Sequence, residues 1–175
     1  MSENKNLTDR QKMKNKTLWI CQAAMIAAMY VALTYVFQPI SFGAVQVRIA
    51  EALTILPIFT PAAIPGLFVG CFLGNLLGGG IMIDVIFGSL ATLIGAVGTW
   101  LLRKKHPVFG TIPPIIANTL IVPFVIKFAY ADEMALPLIM LMILGGEVLS
   151  CGVLGGLLGI TLKKTKGIFN KNEKN

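Results

Sequence analysis

The residues able to do chemistry in this chain are those that sit where polar groups are costly. Arg48, Glu51, Asn75, Asp84, Asn118, Lys127 and Glu147 all fall inside runs that are otherwise apolar. A charged side chain in such a run costs several kcal/mol, so each needs a partner or a purpose. Carboxylates accept hydrogen bonds, guanidinium groups donate them, and carboxamides do both. The set therefore suits recognition of a small polar molecule. Arg48 and Glu51 are three residues apart, on one helix face, and either neutralise one another or read a ligand. Glu147 has no basic neighbour in its own run and follows Gly145 and Gly146, which makes it the strongest single candidate. Asn75 and Asn118 fit interhelical hydrogen bonding as well as ligand contact. Asp84 and Lys127 stand close enough to the ends of their runs to be solvated. Tyr35, Phe37 and Phe42 end the first run, where an interfacial aromatic belt and a stacking platform are both open readings.

Catalytic and nucleotide-binding patterns are missing from the sequence. It has no HExxH, no GxSxG and no GxxxxGK[ST], and its single histidine, His106, stands in a basic stretch. Cys21, Cys71 and Cys151 have no CxxC spacing and fall in apolar runs, where they read as small buried residues. No catalytic residue, metal ligand or cofactor is expected, and ATP hydrolysis, if it drives this protein, belongs to another chain.

The elements that must position the polar set follow from composition. Of 175 residues 55% are apolar and 13% charged, with a mean hydropathy of +0.77. A soluble domain of this size cannot cover so much apolar surface, so lipid is the solvent. The net charge of +7 sits in short clusters rather than on one face, which favours anionic lipid over nucleic acid. With roughly 20 apolar residues needed per crossing, Pro, Gly and charge divide the chain into spans at 17–37, 44–59, 62–77, 82–102, 108–130 and 136–162. Pro57, Pro61 and Pro65 forbid one continuous helix across the second and third, which read as a tight helical hairpin. The fold expected is an all-α integral membrane bundle of six helices at 17–162, between basic tails at 1–16 and 163–175. The sixteen polar residues at the start carry no cleavable signal pattern, so the first span is expected to direct insertion.

Thirteen of the fifteen basic residues lie in the two tails and at Arg103, Lys104 and Lys105. Cytoplasmic loops carry such residues, so both termini are expected in the cytoplasm. Under that threading the buried charges avoid the inner half of every span and describe one cavity open to the outside. Gly70, Gly74 and Gly78, with Gly152, Gly155, Gly156 and Gly159, have the spacing that lets helix backbones approach in lipid.

The segments RIAEALT at 48–54, PAAIPGL at 61–67 and DVIFGSLATL at 84–93 resemble the signature region of the QueT family of queuosine-precursor transporters. Members are substrate-binding S components of energy-coupling-factor transporters. The resemblance implies a six-helix S component that captures a 7-deazaguanine such as queuine at the outer face of the cell membrane. It also implies a transmembrane coupling subunit and two cytoplasmic ATPases as partners. S components resemble one another in an alanine pattern on the first span, which Ala24, Ala28 and Ala32 match as the docking face. For such a ligand Glu147 or Glu51 would accept from the donor edge of the base, Asn75, Asn118 or Arg48 would meet its carbonyl, Asp84 would lie nearby, and Phe42 would stack on the ring. The alternatives are an S component for another vitamin or nucleobase, an unpartnered secondary transporter or channel, and an intramembrane enzyme.

Overall fold

The computed structural model describes the backbone of residues 2–41, 47–129 and 133–172, and side chains within 11–41, 47–129 and 133–165. Phe42, chosen for stacking, and Asp132 lie outside the described residues. Among these the chain is all helical. Helix α1 (Ser2–Val36) is followed by the short α2 (Gln38–Ser41), a 3-10 segment (Ile49–Ile58), α3 (Ala63–Leu77) and α4 (Met82–Leu101). A 3-10 turn (Pro107–Thr111) leads into α5 (Ile112–Ala129), and α6 (Leu136–Glu147) continues through a π-helical segment (Val148–Gly155) into α7 (Gly156–Asn172).

Each of the six apolar runs has a helical counterpart. Four are long and apolar enough to cross a bilayer, namely Gln11–Val36, Met82–Leu101, Pro107–Ala129 and Leu136–Thr165. The other two, Ile49–Ile58 and Ala63–Leu77, are shorter. At about 2.0 Å rise per residue for a 3-10 helix and 1.5 Å for an α-helix, they reach roughly two thirds and three quarters of the ~30 Å hydrocarbon core. The break between them falls at 59–62, where the prolines place it. Helix α1 begins at Ser2 and α7 runs to Asn172, so helical backbone extends into both basic tails.

The second run departs from an ordinary helix. Ten consecutive residues in 3-10 geometry are uncommon. Here Pro57 lies inside the helix and supplies no amide donor. Ala50, Glu51, Leu53, Thr54, Ile55 and Pro57 of this segment are all buried. It packs against α1, α3, α4, α7 and the π segment. The tighter winding has a consequence for the polar set. With three residues per turn, Arg48 at the N-cap, Glu51 and Thr54 stack along one edge instead of drifting around the axis.

Close approach of backbones holds the frame together. A Cβ on Gly66 would stand 2.7 Å from the Ala23 carbonyl oxygen, and one on Gly70 would stand 2.7 Å from Tyr30 Cβ and 3.1 Å from Ala27 Cα. Gly74 faces Thr34 in the same way. Thus Gly66, Gly70 and Gly74 form the groove of α3 into which α1 packs, and a side chain at Gly66 or Gly70 would force the helices apart. Gly95 and Gly98 of α4 admit Pro114 and Pro113 of α5 equally closely. Gly155 and Gly159 pack on Ala52 and Ile55 of the 3-10 segment, whereas Gly152 has only ordinary contacts and Gly156 faces open space. Gly78 closes α3 as its C-cap, and Gly79 carries the left-handed φ of +84° that the turn requires. The apolar core joins Ile26, Tyr30, Ala50, Leu53, Leu67, Cys71 and Ala96, and Val122, Ile139 and Ile143 form a second cluster between α5 and α6.

Because α1 packs through one face only, Cys21 is exposed rather than buried, which corrects the reading of all three cysteines as interior. Ala23 and Ala27 lie against α3, while Ala24, Ala28 and Ala32 are exposed along the opposite side of the helix.

Candidate functional site

Six of the polar residues singled out in the sequence are buried: Arg48, Glu51, Asn75, Asp84, Asn118 and Glu147. They come from the 3-10 segment, α3, α4, α5 and α6, and α1 and the π segment add partners. Glu51 stands at the centre. Its Oε1 accepts from the Tyr30 hydroxyl and from Thr92 Oγ1 at 3.4 Å. Its backbone carbonyl accepts from Thr54 at 2.6 Å and from the Cys151 thiol at 3.4 Å. Glu51 Oε2 is buried with no hydrogen-bond partner.

On one side of Glu51, Arg48 Nη2 donates to Asn75 Oδ1. Asn75 Nδ2 lies 3.5 Å from Cys71 Sγ, to which Thr92 also donates at 3.3 Å. Asp84, in the first turn of α4, shares this corner. A Cβ on Gly80 would stand 3.1 Å from the Asn75 backbone carbonyl oxygen and 3.3 Å from Asp84 Oδ2, and one on Gly88 would stand 3.0 Å from Asn75 Nδ2, so glycine at both positions leaves room for the pair. Asp84 lies near the end of its run, where solvation was one open reading, and is only 8% exposed.

On the other side, Glu147 Oε1 accepts from Asn118 Nδ2 at 2.9 Å, and its Oε2 accepts from Cys151 Sγ at 3.2 Å. Glu51, Glu147 and Cys151 present ligand-type atoms all within 4.8 Å of one another. Asn118 Oδ1 has no hydrogen-bond partner. Glu147 is the last residue before the π segment, and π-helical turns are rare and frequent at functional sites because the wider turn redirects side chains. Of the two glycines before Glu147, Gly145 is exposed, with nothing within 4 Å of where a Cβ would stand, and Gly146 is buried.

Lys127 is half-buried, and its ammonium donates to the Met134 carbonyl at 2.8 Å, tying α5 to the segment that leads into α6. A groove of about 520 Å³ between α4 and α5 is lined by apolar residues including Ile83, Phe87, Phe124 and Phe128, and it holds none of the buried charges. Sequence reasoning missed Tyr30, Thr54, Thr92, Cys71 and Cys151. Hydroxyls and thiols in a span are inexpensive, so nothing in the sequence marked them.

Helices long enough to cross a bilayer, enclosing a cluster of charged and carboxamide side chains drawn from separate segments, define a multi-pass membrane protein with an internal polar site. The family described as QueT transporter matches residues 20–164. The chain belongs to the QueT transporter family. A relative from Lactococcus lactis subsp. cremoris (strain MG1363), named queuosine precursor transporter QueT, is 37% identical over 83 residues, which are 46% of this chain and 48% of the relative. The match thus spans about half the length of that relative. No solved structure matches.

Proposed function

We propose that this chain is the substrate-capturing S component of an energy-coupling-factor importer, and that its ligand is a queuosine precursor of the 7-deazaguanine class. In this reading it crosses the cell membrane six times with both termini in the cytoplasm. It takes the ligand at the outer face and depends on a transmembrane coupling subunit and two cytoplasmic ATPases for release inward. The observation that carries it is the buried cluster in which a carboxylate with an open oxygen, Glu51, stands between an Arg–Asn pair and a Glu–Asn pair. A 7-deazaguanine offers two kinds of donor beside one carbonyl. A carboxylate accepts from the donors, and Arg48 or Asn75 donates to the carbonyl. The family membership and the name of the Lactococcus relative support the same ligand.

The test is what survives purification. From cells grown in rich medium, mass spectrometry of the extracted ligand should return a 7-deazaguanine, and the chain should copurify with two ATPases. A different base or vitamin would replace the ligand while keeping the S-component reading. A solitary chain that concentrates ligand in liposomes would replace the reading with a secondary carrier.

The orientation has its own expected result. In a Cys21→Ser background, since Cys21 is exposed, cysteines at the exposed positions Pro39 and Glu133 should label in intact cells with an impermeant maleimide. A cysteine at Lys104 should label only after the membrane is opened. Labelling of Lys104→Cys from outside would sink the six-crossing arrangement. Ser41 is a poor probe because it is buried.

A further inference from the structure

The polar cluster makes no use of the outer surface of α4 and α5. Along the half of these helices nearest their connecting loop, a groove of about 430 Å³ is lined by Ile94, Gly98, Ile112, Pro113, Ile116 and Leu120. Gly98 and Pro113 line it where the two helices touch, since a Cβ on Gly98 would stand 2.5 Å from Pro113 Cβ. Ile94, Ile112, Ile116 and Leu120 flank that contact and are exposed. From Ile112 to Ile121 the groove follows α5 for roughly 14 Å, close to the ~15 Å that one leaflet contributes to the hydrocarbon core.

The same end of the groove meets positive charge. Arg103, Lys104 and Lys105 occupy the loop between α4 and the 3-10 turn that leads into α5, and all three are exposed. The Arg103 guanidinium lies 4.0 Å over the Trp100 ring, and its Nη1 donates to the Trp100 carbonyl at 3.2 Å. These contacts hold the charge where α4 ends. Among the described carboxylates, Glu51, Asp84 and Glu147 are buried and Glu133 stands beyond the opposite end of α5, so none neutralises the loop. An apolar trough one leaflet deep that opens onto three cations is complementary to a molecule with an acyl tail and an anionic head.

We propose that the groove between α4 and α5 is a binding site for one anionic phospholipid of the leaflet on the side of Arg103. An acyl chain lies along Ile94, Ile116 and Leu120, and the phosphate meets the loop. Arg103 presents a planar fork to the phosphate oxygens, while Lys104 and Lys105 add point charge. A zwitterionic lipid with the same chains would fit the groove but bring its own cation toward the loop, so the head group is what the site selects. Nothing in this site depends on what the polar cluster binds.

Native mass spectrometry of the full chain in non-ionic detergent, supplied with an equimolar mixture of phosphatidylglycerol and phosphatidylcholine of matched chains, reads the selection directly. One phosphatidylglycerol per chain is expected, enriched at least about tenfold over phosphatidylcholine. Replacing Arg103, Lys104 and Lys105 together by Gln should abolish the enrichment, and Ile116→Trp, at an exposed position, should lower retention of both lipids by filling the groove. Phosphatidylglycerol should also raise the thermal midpoint of the wild-type chain, an effect that inorganic phosphate does not reproduce. Equal retention of the two lipids would overturn the proposal, as would enrichment that survives the triple substitution or retention indifferent to Ile116→Trp. A wild-type chain that retains no lipid, and that loses a copurifying membrane partner on Ile116→Trp, would assign the groove to a protein helix instead.

Discussion

Enlarging Ala28 to Trp is expected to leave ligand affinity unchanged and to abolish uptake by cells. Ala24, Ala28 and Ala32 recur every four residues on the side of α1 that is exposed in the isolated chain. The other side is occupied by α3, through Ala23, Ala27 and Tyr30 against Gly66 and Gly70. A strip of small residues lets another helix approach closely, and in lipid such approach supplies most of the association energy. Indole bulk at Ala28 would hold a partner helix away without touching α3 or the polar cluster. The two measurements are ligand affinity of the purified variant and uptake in cells whose ATPases are intact. Surviving uptake would remove this strip as the docking face of a coupling subunit, and lost affinity would mean that α1 shapes the site through its outer side.

Glu51→Gln is expected to weaken binding of every 7-deazaguanine by tenfold or more, because a hydrogen bond to a charged group contributes about 1.5 to 3 kcal/mol. The substitution is nearly isosteric. Its carbonyl oxygen can take over the Tyr30 and Thr92 hydroxyls that Oε1 now accepts, leaving an NH₂ group where the open acceptor Oε2 stands. A donor then faces the donor edge of the base. Arg48 is not stranded by the change, since Asn75 and Asp84 remain beside it, so the variant should fold. Glu147 is a less direct reader of the base, because both its oxygens are already engaged. Unaltered affinity in a folded Glu51→Gln protein would place the ligand elsewhere.

Membrane class, the apolar runs and their breaks were legible in the sequence because each rests on a local cost. Twenty apolar residues, a proline or a basic loop means the same thing wherever it stands in a bundle. The same cost exposed Arg48, Glu51, Asn75, Asp84, Asn118 and Glu147, for a polar group within an apolar run is visible without knowing its neighbours. Lys127 obeyed the rule too, and its ammonium donates to the Met134 carbonyl. Pairing was not legible. Arg48 and Glu51 sit one turn apart, yet the guanidinium donates to Asn75 from α3 and the carboxylate accepts from Tyr30 on α1. Only the packed bundle brings those groups within reach. It likewise decided that 49–58 winds as a 3-10 helix and that Ala27, not Ala28, meets α3. Alanine on either side of α1 reads alike in sequence, and which side turns inward depends on where the glycines of another helix leave room.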